Sequence, residues 1–125
     1  MKINDEEVFI ELREKTYHCA MDVTMNFIGG KWKTVVLWYL IKEKKRFGEL
    51  RKLVPQMTER MLSITLSQLE ADGLVHREVI VDKPPLKVEY SLTDFGKTLI
   101  PVLESVALWG RNLANTEGVL RADIR

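Results

Sequence analysis

Thiol and imidazole groups are scarce in this sequence: it has one cysteine, Cys19, and two histidines, His18 and His76. The histidines lie far apart, and neither has the nucleophile and carboxylate partners that hydrolytic catalysis uses. One cysteine with two histidines does not give the ligand spacing of a zinc site. The pair Gly29-Gly30 follows a predicted helix rather than a strand, so it does not resemble a phosphate-binding loop. We therefore expect a protein that is not an enzyme and has no cofactor and no metal.

Positive charge is concentrated in one segment. Residues 31–60 hold nine basic and three acidic side chains, a net charge of +6, whereas the whole chain has a net charge of +1. Such a segment is typical of a face that binds a polyanion. Lysines also cluster on ordinary solvated surfaces, so charge alone does not choose between the two readings.

A well-delimited helix begins at the end of this basic segment. Thr58 is a favoured N-cap residue, and Gly73 is a favoured residue just beyond a helix C-terminus. Leucines at helical spacing define the inward face: Leu62, Leu66 and Leu69. At about 100° per residue, the opposite face carries Arg60, Ser63, Ile64, Ser67 and Ala71.

That outward face is suited to duplex DNA. Arg60 can pair with a guanine edge or a phosphate, the hydroxyls of Ser63 and Ser67 can bond to either, and Ile64 can touch a thymine methyl. The free amides after Thr58 add a site for a phosphate. The alternative is a plain solvated helix face.

The order of the elements predicts a winged helix-turn-helix. Residues 3–15 predict a helix from a ragged apolar period, and a second short helix covers residues 19–28. An amphipathic helix over 31–41 precedes a charged connection over 42–46 and a short helix that Pro55 stops. After the Thr58 helix, a β-hairpin turns at residues 82–85, and one long helix begins after Thr93. We expect a mainly α fold with a small antiparallel β-hairpin (α+β), as a single domain over residues 1–125.

Basic side chains also lie on the elements beside the helix that begins after Thr58, which is called the reading helix because its outward face is suited to contact base edges. Lys83 and Lys87 bracket two prolines at the hairpin tip, which can lie along a DNA groove or backbone. Arg46, Arg51 and Lys52 belong to the short helix before the turn and are expected to clamp phosphates. The tip is equally consistent with an exposed turn whose lysines serve solubility.

The long helix is apolar over an unusually wide arc. Leu99, Val102, Val106 and Trp109 share one stripe, with further apolar residues beside it. A helix of this kind is expected to be buried on two sides, which favours a homodimer. In a dimer on DNA, two reading helices lie about 34 Å apart in successive major grooves.

Composition sets the general class. The hydrophobic fraction of 46% and the charged fraction of 30% are those of a soluble globular protein. No apolar run is long enough to cross a membrane, so no membrane partner is expected. A single cysteine and an acidic N-terminus favour the cytoplasm. The main alternative to DNA binding is a winged helix that serves protein–protein interaction.

Several blocks of the sequence together resemble the HxlR family of bacterial transcriptional regulators. They are Ile28-Gly29-Gly30-Lys31-Trp32, Arg46-Phe47-Gly48-Glu49-Leu50-Arg51, Leu69-Glu70-Ala71-Asp72-Gly73-Leu74-Val75 and Val88-Glu89-Tyr90-Ser91-Leu92-Thr93. The resemblance covers residues 19–110.

The resemblance implies a winged-helix homodimer on palindromic operator DNA, joined through its N- and C-terminal helices. The N-terminal contribution would come from Val8, Phe9 and Leu12. Some members sense oxidants or electrophiles through a cysteine at the position of Cys19, although the proline that usually follows is Ala20 here. The operator, the regulated genes and any small-molecule effector are not implied.

Overall fold

The computed structural model describes residues 9–118. Its helices and strands follow one another in this order: β1 (Ile10–Leu12), β2 (Lys15–Tyr17), α1 (Ala20–Ile28), α2 (Lys33–Leu40), β3 (Lys45–Arg46), α3 (Phe47–Leu53), α4 (Glu59–Ala71), β4 (Val75–Val81), β5 (Lys87–Leu92), α5 (Asp94–Lys97) and α6 (Ile100–Glu117).

The α+β winged-helix fold is confirmed, and its sheet is one strand larger than expected. β4 and β5 form the predicted antiparallel hairpin, in which Arg77 lies opposite Tyr90. β3 pairs with the other edge of β5, with Lys45 opposite Tyr90, so the strand order is β3-β5-β4. The segment over 42–46, expected to be only a charged connection, therefore ends in a short strand.

The predicted helix over residues 3–15 is wrong in the part that the structure describes. From Ile10 onward the chain forms the β1–β2 hairpin, in which Ile10 pairs with Tyr17. β-Branched and aromatic residues favour strands over a helix in this segment, and Tyr17 is buried. The two turn residues, Arg13 and Glu14, have φ angles of 51° and 63°. Residues 3–8 of the prediction lie outside the described residues.

The core lies between α2, α4 and the sheet. α4 contributes its leucine stripe as predicted, with Leu62, Leu66 and Leu69 each at most 1% exposed. Val36 and Leu37 of α2 pack in the same cluster. Truncation of one of these leucines to alanine typically costs about 2–5 kcal/mol of folding free energy. Rotation of α4 would remove the same contacts, so this packing fixes its orientation.

The long C-terminal helix is interrupted. Thr93 caps the four-residue α5, because its Oγ1 accepts a hydrogen bond from the Gly96 amide at 2.9 Å. α6 then begins at Ile100, with Pro101 in its first turn. Proline lacks the amide that a continuous helix would require, whereas the first turn of a new helix leaves that amide unpaired.

The C-terminal end of α4 is tied to the start of α5. Gly73, with a φ of 81°, lets the amide of Leu74 donate to Leu69 O at 2.9 Å. The hydroxyl of Thr93 donates to Gly73 O at 2.6 Å. Hydrogen bonds thus fix the C-terminal end of α4 to the segments that follow it.

Candidate nucleic-acid interface

A helix-turn-helix is formed by α3, a turn over residues 54–58, and α4. The buried Met57 anchors the turn, and its amide donates to Val54 O at 3.1 Å. The half-buried Arg51 of α3 donates from Nη1 to Met57 O. Arg51, expected to clamp a phosphate, therefore has a structural partner inside the turn.

The outward face of α4 is exposed as the helical period predicted. Arg60, Ser63 and Ser67 are exposed, and Ile64 keeps 45% of its surface in solvent. These side chains lie opposite the buried leucines on one helix of thirteen residues. Among the described residues, Arg60 has no ion-pair partner, so its guanidinium is available to a ligand.

The N-terminus of α4 is capped as predicted. Thr58 Oγ1 accepts from the Met61 amide at 3.0 Å, and the threonine is exposed. Its hydroxyl hydrogen remains available to a phosphate oxygen, and the positive end of the helix dipole favours that anion. Glu59 in the first turn is also exposed and opposes an anion directly beside it.

Part of the basic segment is neutralised within the molecule. Lys44 Nζ lies 3.3 Å from Glu89 Oε1, and Lys45 Nζ lies 3.1 Å from Glu43 Oε1. Lys31 Nζ lies over the ring of Trp32, 4.9 Å from its centroid. Glu43 is already counted in the net charge of +6, so only the pair with Glu89, which lies outside the segment, lowers its free positive charge, by one. Lys31 keeps its charge over the Trp32 ring.

Two basic residues at α3 have free side chains, one directly before the helix and one within it. Arg46 precedes α3 and is exposed; its backbone amide, rather than its side chain, donates to Glu49 Oε1 at 2.7 Å. Lys52 is exposed near the C-terminal end of α3. Neither side chain has an ion pair within the described part of the chain. Both satisfy the requirement of a phosphate clamp.

The wing presents both predicted lysines. Lys83 and Lys87 are exposed at either end of a tip that contains the cis Pro84-Pro85 bond. Leu86, which the sequence reasoning missed, is 57% exposed between them. The only sequence signal for Leu86 was its position between lysines and prolines in a predicted turn.

Cys19 lies at the N-cap of α1, as the sequence suggested. Its side chain is half-buried and free, and its carbonyl accepts from the Val23 amide at 3.1 Å. The carboxylate of Asp22 accepts a hydrogen bond from the His18 amide at 3.0 Å. His18 itself turns its ring toward Phe9, with 6.0 Å between ring centroids.

The predicted dimer residues divide into two groups. Val102, Val106 and Trp109 of α6 are exposed by 38%, 52% and 70%, and Phe9 by 70%. Leu12 is 37% exposed on β1, whereas Leu99 is half-buried against the core. Val8 lies outside the described residues. A row of exposed apolar side chains on α6 is thus present without a covering element in the described chain.

No group of three or more histidine, cysteine or carboxylate side chains with metal-binding geometry occurs within residues 9–118. Across the same residues, no helix has the length and apolar character needed to span a membrane.

Comparison with known proteins gives consistent matches. The family model described as HxlR-like helix-turn-helix matches residues 27–118. The chain is 54% identical over 92 residues to the HTH-type transcriptional regulator YdeP of Bacillus subtilis (strain 168), covering 74% of this chain and 71% of YdeP. The redox regulator HypR in its oxidised form is 49% identical with a TM-score of 0.71, covering 75% of this chain and 96% of HypR. Its reduced form is 47% identical with a TM-score of 0.72, covering 77% and 94%.

Proposed function

The chain belongs to the HxlR-like helix-turn-helix family of transcriptional regulators, and on that premise we propose that it binds a palindromic operator in duplex DNA as a homodimer. The family membership confirms the resemblance of its sequence blocks, and its relatives are regulators rather than enzymes. The observation that carries the proposal is the exposed outward face of α4, which has an arginine, two serines and an isoleucine and no carboxylate.

In this proposal α4 enters the major groove. Arg60 contacts a guanine edge or an adjacent phosphate, and Ser63 and Ser67 bond to base edges or the backbone. Ile64 contacts a thymine methyl, which its exposed aliphatic surface suits. The hydrogen-bonded capping of α4 at both ends supports this role, because base readout requires side chains at fixed positions.

Phosphate contacts surround the reading helix. Thr58 and the first amides of α4 bind one phosphate, and Arg46 and Lys52 bind others. Lys83 and Lys87 contact the backbone or minor groove from the wing. The main role of Arg51 is to position the turn through its hydrogen bond to Met57 O. Its remaining N–H groups can add a contact to a DNA phosphate.

The second copy covers the apolar face of α6. Val102, Val106 and Trp109 form the centre of the proposed interface, because burial of exposed aromatic and aliphatic surface drives association. Phe9 and Leu12 extend it toward the N-terminus. Leu99 contributes only the part of its surface that the core leaves open.

Selection from random duplex DNA tests the proposed function. We expect the full chain to enrich a palindrome with half-sites about one helical turn apart and to protect it from cleavage. Enrichment of no sequence at low ionic strength would reject operator binding and favour the winged-helix protein-interaction alternative. Enrichment of a single half-site would reject the dimer geometry.

A redox-responsive regulator is the second, finer candidate. Cys19 is the only thiol of the chain, and it occupies the N-cap position of α1, where its side chain is half-buried. The similarity to the redox regulator HypR supports this candidate. Because the chain has one thiol, a disulfide would join two subunits or bind a small thiol.

A further inference from the structure

A cavity of about 300 Å³ lies beneath the N-terminal hairpin. Its volume is at the lower end of the range for small-molecule sites. The hairpin, α1, α5 and the start of α6 supply its walls, which are mainly apolar: Leu12, Arg13, Val23, Thr24, Phe27, Leu74, Phe95, Thr98 and Leu99. A cavity of this size accommodates one aromatic ring with a short substituent.

Arg13 is the one charged side chain among the lining residues. Its guanidinium carbon lies 5.1 Å from the ring centroid of Phe27 and 5.3 Å from that of Phe95. The two rings are themselves in edge contact, with centroids 5.8 Å apart. Cation–π contact with two rings holds the guanidinium at the wall of the cavity.

The guanidinium of Arg13 retains N–H groups that can donate to a ligand. Nη1 donates to Asp72 O at 3.0 Å, whereas a guanidinium carries five N–H groups. No carboxylate pairs with Arg13 among the described residues. An arginine without a counter-ion beside an apolar cavity is complementary to a ligand carboxylate, which it can bind through two parallel hydrogen bonds.

The other polar groups of the wall are already satisfied. Thr24 Oγ1 donates to Ala20 O at 3.2 Å, and Thr98 Oγ1 donates to Phe95 O at 2.6 Å. The cavity therefore offers one cationic group and otherwise apolar and aromatic surface. This pattern fits a ligand with one negative charge and one apolar ring.

We propose that this cavity binds a small aromatic monocarboxylate, whose carboxylate pairs with Arg13 and whose ring packs between Phe95 and Leu99. The carbonyl that Arg13 contacts belongs to Asp72, the C-cap of α4. Occupancy of the cavity thus acts on the hydrogen bond between the N-terminal hairpin and the reading helix. This coupling rests on the proposed DNA-binding function, and the binding itself does not.

Binding is tested first without DNA, by calorimetry and amide NMR shifts on the full chain. Benzoate is the probe, and benzamide is its neutral isostere. We expect saturable benzoate binding that shifts amides around the cavity, and about tenfold weaker binding of benzamide. Arg13→Gln should reduce benzoate affinity to the level of benzamide. Arg77→Gln, which changes an exposed arginine on β4, is the matched control and should bind benzoate like the wild type.

A second variant tests the cavity without changing the N-terminal hairpin, to which Arg13 belongs. Val23→Phe narrows the cavity while Arg13 is retained, and it should abolish benzoate binding. Equal benzoate affinity in wild type, Arg13→Gln and Val23→Phe would overturn the proposal. Failure of benzoate, phenylacetate and cinnamate to bind at millimolar concentration would also overturn it. Binding only to a monomeric Trp109→Glu variant would show that the second copy fills the cavity, and would overturn it as well.

The coupling is tested on the selected operator. We expect benzoate to change operator affinity by about threefold or more, and operator DNA to change benzoate affinity by the same factor, because linkage is reciprocal. Benzoate binding without any change in operator affinity would overturn the coupling and leave the ligand site standing. Absence of operator binding by the chain would reject the proposed function, while the DNA-free titrations would still decide the ligand site.

Discussion

The guanidinium of Arg51 on α3 donates a hydrogen bond to the carbonyl of Met57, the residue directly before the N-cap of α4. Met57 is 1% exposed, so the bond closes the turn of the helix-turn-helix over a buried anchor. The arginine thereby fixes where α4 begins relative to α3. In the proposed function, we therefore expect loss of this side chain to lower both the stability of the motif and its affinity for DNA.

Substitution of Arg51 by methionine should destabilise the turn. The substitution leaves the carbonyl of the buried Met57 without its charged donor, which is expected to lower the free energy of unfolding by about 1–3 kcal/mol. Urea denaturation measures this change. Lys52→Met is the matched control, because Lys52 is exposed and its replacement should alter stability by less than about 0.5 kcal/mol. Equal stability of both variants would contradict the structural role of Arg51.

Arg60→Ala should weaken operator binding specifically. If Arg60 reads a base or a desolvated phosphate, its removal costs about 1–3 kcal/mol of operator affinity. Fluorescence anisotropy with operator and scrambled duplexes measures the difference, and the loss should be larger on the operator. The paired change Ser63→Ala with Ser67→Ala should act in the same direction. Full operator affinity in both variants would exclude the outward face of α4 as the reading surface.

Lys83→Ala should weaken all duplexes alike. Lys83 is exposed at the wing tip, so its contact is expected to be with phosphate rather than with base edges. The slope of the logarithm of affinity against the logarithm of salt concentration should fall by about one. Titrations at several salt concentrations measure it, with Lys97→Ala on α5 as an exposed control. A loss confined to the operator would instead indicate that the wing reads sequence.

The reading helix could be predicted because its signals are local. Thr58 as N-cap, Gly73 beyond the C-terminus and the leucine stripe all lie within or beside α4 and act through neighbouring residues. The structure changed none of these assignments. Exposure of Ser63 and Ser67 then followed from helical geometry alone.

The N-terminal hairpin could not be predicted because its stabilising contacts are distant in sequence. Arg13 contacts Phe27, Phe95 and the carbonyl of Asp72, and no local sequence pattern predicts these partners. Its turn uses an arginine and a glutamate at positive φ, where sequence rules expect glycine or asparagine. The strand β3 was missed for a related reason, since its two residues are strand only through pairing with β5.

Trp109→Glu should produce a monomer. Trp109 is 70% exposed on α6 beside Val106, so a charge there would be buried without a partner in the proposed interface. Sedimentation at micromolar concentration should show a dimer for the wild type and a monomer for the variant. Arg111→Glu reverses a charge about 200° away on the same helix and should remain dimeric. A monomeric wild type would refute the dimer.

Oxidation of Cys19 should change operator affinity if the thiol is a sensor. Diamide oxidises two thiols to a disulfide and is itself reduced to the hydrazine, so the only protein–protein product joins the Cys19 residues of two subunits. Because Cys19 occupies the N-cap position of α1, such a bond would act on the helix that follows the N-terminal hairpin and is expected to alter the spacing of the two α4 helices. Operator affinity is measured before and after diamide, with non-reducing electrophoresis and mass spectrometry to record the product. Cys19→Ser should bind the operator with the affinity of the reduced wild type, and diamide should not change that affinity. Modified wild-type protein with unchanged operator affinity would show that Cys19 is not a switch, and the half-buried thiol would then serve packing at the start of α1.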